Sequence, residues 1–345
     1  MSASTHIASL RTRHDALVAA EPKLRARDRA ARLGATEAQL VAAGCGLVSV
    51  PLAGPAQAVF RALGTLGEVM ALSRNDWAVH ERHGRYEDIQ ADGPMGLVLG
   101  PDIDLRVFFS QWQHAWAVHE NDRDSLQFFD GQGVAVHKVY RTEATDAAAW
   151  DALVAQFRQA DPVWPEPKPA PVSDAAPSVA DPAALRAHWL GLKDTHEFVG
   201  MLRQFKVARL AAMAAAGPDL AQQVPPGTVE AVLQSAAASG LPIMCFVANR
   251  GIVQIHTGPV HKLVRTGPWF NVLDPKFNLH LNTEAVATSW VVNKPTTDGW
   301  VTSLELYSAD GELVVQFFGE RKPGKPELPA WRNLLLDQCT QPLAA

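Results

Sequence analysis

The residues of this chain best suited to chemistry are His196, in the segment KDTHEF, and a scattered set of cations: Arg209, Arg250, Arg265, Lys294 in VVNKPTTDGW, and Arg321 in FFGERKPG. A neutral imidazole has a lone pair to give a metal, whereas guanidinium and ammonium groups have none and act as fixed charges or hydrogen-bond donors. His196 therefore has two readings, a partly exposed helix histidine bonded to a neighbour or a metal ligand. The cations also have two. Singly, each is a solvated charge, but several of them around an apolar, aromatic sheet suit a flat apolar ligand with carboxylate groups, such as a tetrapyrrole with propionates.

Other motifs fail on their chemistry. GERKPGK from Gly319 matches part of a phosphate-binding loop, but Pro326 stands where Ser or Thr must hold magnesium. His80 and His83 in VHERH lack the HExxH pattern and an evident third ligand for zinc. No GxSxG elbow occurs, nor a GxGxxG opening a helix after a strand, so a serine hydrolase or a built-in dinucleotide site has no support. The three cysteines, Cys45, Cys245 and Cys339, lie far apart, without the CxxC spacing of a zinc cluster or the CxxCH of covalent haem attachment. An odd number without a disulfide framework suits a reducing cytoplasm.

Composition narrows the field further. With 345 residues, 47% hydrophobic and 19% charged, the chain is an ordinary globular protein able to bury one or two cores. A net charge of −5 supplies no general cationic field, so nucleic acid is not expected as a partner. The amino terminus lacks an apolar signal region, and no stretch reaches the roughly 18 apolar residues of a membrane span. The expectation is a cytoplasmic protein, neither exported nor embedded in a membrane.

The elements that must position these residues are organised as a repeat. Trp164 to Pro182, WPEPKPAPVSDAAPSVADP, is rich in proline without apolar periodicity and predicts an extended connector. On either side, SLQFFDGQGVAVHKVY from Ser125 resembles SLELYSADGELVVQFF from Ser303, each a strand, a glycine-containing turn and a second strand. IDLRVFFSQWQHAWAV aligns with FNLHLNTEAVATSWVV, matching Arg106 to His280 and Trp116 to Trp290, while His80 stands opposite His256. The matches keep their order at an offset of about 175 residues. Each half opens with an Ala- and Leu-rich stretch of helical period before its β-rich remainder. The expected fold class is α+β, a tandem structural duplication in which each repeat is a helical segment followed by a large antiparallel sheet. Its domains are residues 1–160, a proline-rich linker at 161–182, and 183–338.

A duplicated fold needs similar residues in both halves, so a polar residue without a counterpart is a candidate for chemistry. His196 is one, facing Ala26 or Arg27 of the first half. Arg209, thirteen residues on, would lie roughly 140° around a continuous helix from it. Gly34 marks a break at the matching place in the first half, however, which predicts two short helices with a turn near Phe205 and Lys206 that can bring both residues to one cleft.

Taken together, KDTHEFVGMLRQFKVARL, SGLPIMCFVANRGIVQIHTGPV, RTGPWFNVLDPKFNLHL, VVNKPTTDGWVTSLELYSADGELVVQFFGERKPG and, in the first half, GEVMALSRNDWAVHERHGRYEDI and SLQFFDGQGVAVHKVY resemble the bacterial haemin-degrading and haem-trafficking family of HemS, ChuS and PhuS. The likeness covers nearly all of both halves. It implies b-type haem held mainly by the second half, with His196 as proximal iron ligand and Arg106, of the DLR motif, on the distal side. Having no lone pair, Arg106 would hydrogen-bond rather than ligate. The resemblance further implies that Arg209, Lys294 and Arg321 contact the propionates, and that His80 serves a second haem site. Some members carry a tyrosine where this chain has Val315. His188 is a nearby alternative ligand.

The function implied is cytoplasmic haem binding in iron acquisition: haem arrives from an inner-membrane importer and is delivered to a haem oxygenase. The alternative is an enzyme that opens the ring itself, with Arg106 as its distal catalytic group and an external reductase. From a different class, a duplicated interaction module with structural histidines would bind no haem.

Overall fold

The computed structural model describes residues 3–160, 164–170, 175–176, 178–322 and 324–345. The first half of the chain runs through helices α1 (Ala3–Ala20), α2 (Ala26–Leu33) and α3 (Glu37–Ala43), strand β1 (Ser49–Leu52) and helix α4 (Ala56–Ala62). Strands β2 (Gly67–Arg74), β3 (Ala78–Gly84), β4 (Ile89–Gln90), β5 (Met95–Leu99), β6 (Asp104–Phe108), β7 (His114–Glu120), β8 (Arg123–Phe129) and β9 (Ala135–Thr145) follow, then helix α5 (Ala147–Phe157). The second half repeats the series: α6 (Pro182–Leu190), α7 (Glu197–Gln204), α8 (Arg209–Ala216), β10 (Ala221–Val224) and α9 (Thr228–Ser239). Its strands are β11 (Ile243–Ala248), β12 (Ile252–Gly258), β13 (Leu263–Thr266), β14 (Trp269–Leu273), β15 (Phe277–Asn282), β16 (Thr288–Thr296), β17 (Gly299–Tyr307) and β18 (Leu313–Gly319), closed by α10 (Pro329–Leu336).

The chain divides into two compact units, one holding Met1–Arg74, Glu81–Pro171 and Asn249–Gln254, the other Asn75–His80, Val172–Ala248 and Ile255–Ala345. In the first, β1, β7, β8, β9 and β2 pair in that order, all antiparallel, beside a three-stranded meander of β4, β5 and β6. In the second, β10, β16, β17, β18 and β11 pair in the corresponding order, beside a meander of β13, β14 and β15. This is the expected duplicated α+β fold. Helix and strand alternate more than expected, because β1 and β10 are only four residues long, too short to show a period of two, and each pairs with a distant strand before the last helix of its segment.

Local chemistry explains the boundaries. Gly34 ends α2 at φ +63°, a left-handed conformation costly for any residue with a Cβ, and Thr36 with Gln39 forms a reciprocal capping box that starts α3. Asp181 caps α6, with Pro182 in its first turn. One core of the first unit packs Phe60, Trp112, Phe128 and Trp150. The second unit packs Val229, Phe277, Phe317 and Trp331 in one cluster and Trp189, Phe198, Met213 and Tyr307 in another, beneath α6, α7 and α8. Of the proline-rich connector, residues 161–163, 171–174 and 177 lie outside the described residues; Trp164 packs against two small apolar clusters of the first unit, one containing Ala38 and Phe129 and the other Leu10 and Leu40. No described helix is long and apolar enough to cross a membrane.

Candidate functional site

His196 stands at the N-cap of α7, one residue before the helix rather than within it. The reason is local. Asp194 Oδ1 accepts the backbone N–H of His196 at 2.8 Å, while the Glu197 carboxylate accepts the N–H groups of Lys193 and Asp194, so the donors before the helix are held by side chains. The loop is tied down on both sides. Leu192 and Phe198 are buried, and Lys193 O accepts from Thr297 N at 2.9 Å.

The imidazole itself is 86% exposed, and its Nδ1 lies 2.6 Å from Asp194 Oδ1. The His196 N–H holds the Asp194 carboxyl below its ordinary pKa, with the imidazole and the Arg321 charge adding to that and burial opposing it. An ionised carboxylate only accepts, so Nδ1 carries the proton, and in the neutral imidazole the lone pair is then on Nε2. A carboxylate orienting the non-ligating nitrogen is the arrangement that metal-binding histidines use. One turn on, Val199 is an exposed apolar side chain and Gly200 leaves open space where a Cβ would stand.

α7 and α8 are separate helices, as expected, with Lys206 at φ +48° in the turn between them. This brings Arg209 back over Phe198, at 4.7 Å from its ring centroid, and Lys294 Nζ lies at the same distance from that ring. Both cations converge on Glu305, which is wholly buried. Arg209 donates to its two oxygens at 2.9 and 2.8 Å, Lys294 Nζ donates to Oε1 at 2.8 Å, and Tyr307 OH donates to Oε2 at 2.5 Å. Ser303 and Gln316 complete the shell at 3.0 and 2.9 Å.

Burial would push the Glu305 carboxyl up, but Arg209 and Lys294 outweigh it and hold it far below the carboxylate range. Burial also pulls Lys294 down to about 8, with Glu305 opposing and Arg209 adding to the fall. Lys294 is thus only 3% exposed and spent on an internal carboxylate. The resemblance gave it a place against the propionates; here its ammonium is held by Glu305. One net positive charge remains in the cluster, and Arg209 is its part-exposed member, with 18% of its side chain accessible.

Arg321 lies 3.5 Å from Asp298, and its Nε is buried without a hydrogen-bond partner among the described residues. It is close enough to lower Asp194, so it belongs to the surroundings of His196. Arg106, on β6 of the first unit, pairs with Asp104 and is part-exposed. Arg265 is instead held by Glu230 and Thr283, and Arg250 lies exposed in the turn before β12.

His80 is fully buried, its ring 4.9 Å from that of Phe277, on which His256 also stacks at 3.7 Å. The resemblance gave His80 a second haem site; here its imidazole is 0% exposed. Among the described residues no group of three or more His, Cys, Asp or Glu is placed to hold a metal ion. His188 packs edge-on against Phe205.

Sequence reasoning missed Asp194, Glu305 and the open face at Val199 and Gly200. Glu305 had a signal: in the matched hairpins it stands opposite the neutral Gln127.

These features define an internally duplicated α+β protein that presents, on its second unit, the exposed His196 imidazole oriented by a carboxylate. The chain belongs to the haemin-degrading HemS.ChuX domain family, whose model matches residues 34–157 and 206–337. It is 40% identical to the hemin transport protein HmuS of Yersinia pestis over 98% of this chain and 99% of that one. It is also similar to the heme-binding protein PhuS of Pseudomonas aeruginosa in its apo form, with 46% identity, a TM-score of 0.93, and coverage of 96% of this chain and 99% of that one. The heme-degrading enzyme ChuS of Escherichia coli O157:H7 matches with 36% identity and a TM-score of 0.92, over 96% of this chain and 99% of that one.

Proposed function

We propose that this chain binds haem b as cargo in the cytoplasm, taking it from an inner-membrane importer and passing it to a haem oxygenase. The observation that carries this is the exposed His196 imidazole, with Nδ1 held by Asp194 and Nε2 free. Its surroundings fit the group. Val199 and Gly200 offer an apolar, open face, while Arg209 and Arg321 offer positive charge for propionates, backed by the buried Lys294. The relatives described as hemin transport and heme-binding proteins support this role.

The second reading is that the chain degrades haem itself, with reductant from an external donor. The similarity to ChuS favours it. Arg106 is then the residue that donates hydrogen bonds on the distal side.

One experiment addresses both. Haemin is titrated into the wild type and into His196→Ala, the Soret band is recorded, and ascorbate or a reductase is then added with catalase present. A lost or strongly shifted band in the variant is expected, and an unchanged spectrum would overturn the ligand assignment. Conversion of the wild-type complex to a bilin-like product despite catalase identifies an enzyme; no conversion identifies a carrier.

A further inference from the structure

The first unit contains a cleft of about 360 Å³ between its amino-terminal helices and the β7, β8 and β9 face. It lies at the small end of the range of about 300–1,000 Å³ typical of ligand pockets. Six arginine and lysine side chains line it against two carboxylates, Glu37 and Glu120.

The repeat makes this cleft intelligible. In the second unit Glu305 is the anion that Lys294 and Arg209 surround. The matched position in the first half is Gln127, which is neutral, and the position matched to Gln316 is Lys138. Gln127 and Lys138 are cross-strand partners in the β8–β9 register, so a cation has been gained on the strand next to where the anion has been lost.

Arg11 and Arg25 at the cleft are paired with Asp15 and Asp28, but several of the buried groups lining it are incompletely satisfied. Lys138 is 8% exposed, and its Nζ stands 4.0 Å from Glu37, beyond hydrogen-bonding distance, while Glu37 is itself bound by Arg74 at 2.5 Å. Arg29, 6% exposed, reaches Glu120 only at 4.0 Å, and its Nε has no hydrogen-bond partner among the described residues. Gln127 Oε1 and His14 Nδ1 are buried in the same state. Such groups cost free energy when left unmet. Burial pulls the Lys138 ammonium below the ordinary lysine pKa, with Arg74 adding to the fall and Glu37 and Glu120 opposing it.

We propose that this cleft binds a small polyanion bearing carboxylate or phosphate groups, with Lys138 and Arg29 as its buried charged donors and Arg123 at the rim. Ser125 and Tyr140 line the same cleft and add hydroxyl groups. The ligand adds negative charge to that of Glu37, the buried carboxylate that Arg74 and Lys138 flank in this unit.

The test is calorimetric titration of the full chain with citrate and, separately, glycerol 2-phosphate, in chloride buffer of matched ionic strength. One saturating site is expected for at least one probe, and which probe binds tells a carboxylate site from a phosphate site. Lys138→Gln and Arg123→Gln should each weaken it tenfold or more, and His196→Ala should leave it unchanged, which separates this site from haem binding. Arg123 is exposed, so its variant decides the matter should Lys138→Gln fail to fold. No saturable binding of either probe, or binding that the charge variants leave intact, overturns the proposal.

Discussion

Asp194 takes two hydrogen bonds from His196 on a single oxygen, one from its backbone N–H at 2.8 Å and one from Nδ1 at 2.6 Å. The same carboxylate therefore ends the loop and aims the ring. Asp194→Ala should lower haemin affinity by about 10–100-fold while the bound spectrum still reports histidine ligation, because the ligand survives and only its orientation and basicity suffer. Soret titration measures this, and an unchanged affinity would show that the ring needs no partner.

Glu305 holds one buried cation, Lys294, and one part-exposed cation, Arg209, so its removal acts on them more than on itself. Glu305→Leu should destabilise the protein by about 3–5 kcal/mol, since Lys294 would be left as an uncompensated buried charge and Arg209 would lose both its hydrogen bonds to the carboxylate. Adding Lys294→Met should recover part of the loss. Denaturant unfolding of the single and double variants checks this, and a loss in the single variant below about 1 kcal/mol, the level of an exposed pair, would contradict it.

His137, on β9, is wholly buried between Ser73 Oγ at 2.8 Å and Tyr86 OH at 2.6 Å, and burial lowers its pKa to about 3. A depressed histidine favours the neutral form in the folded state. Between pH 6.5 and 3 the unfolded chain binds the extra proton, so this contribution is complete above pH 6.5 and is lost as pH falls through that window, by up to about 1.4 kcal/mol per pH unit. Unfolding midpoints at pH 7.5 and 5 should differ more in the wild type than in His137→Phe; equal differences would show that His137 does not titrate this way.

Lys206 turns the chain from α7 to α8 at φ +48°, a conformation that a β-branched residue resists. Lys206→Val should be about 1–2 kcal/mol less stable than Lys206→Gly, on the usual cost of the left-handed region. Thermal midpoints of the two variants make the comparison, and a more stable valine variant would mean that the turn is free to rearrange.

The duplication was legible because it is written twice: the hairpins at Ser125 and Ser303 carry their own alternation and turn glycines, and the order of the matched segments repeats. The break between α7 and α8 was legible through Gly34 in the first copy. The short strands β1 and β10 were not, since four residues carry no period and only the distant strands β7 and β16 complete their hydrogen bonds.

For the site, the sequence by itself determined which residues lack a counterpart in the other repeat, and it thereby singled out His196. It also determined the family, through long ordered segments. Tertiary structure decided which charges remain available. Lys294 and Arg209 read alike as basic residues, yet one is buried against Glu305 and the other keeps part of its side chain at the surface. His80 and His196 read alike as histidines, yet one lies against Phe277 in a core and the other stands exposed. A side chain's availability depends on what the rest of the chain packs against it, and those partners are distant in sequence.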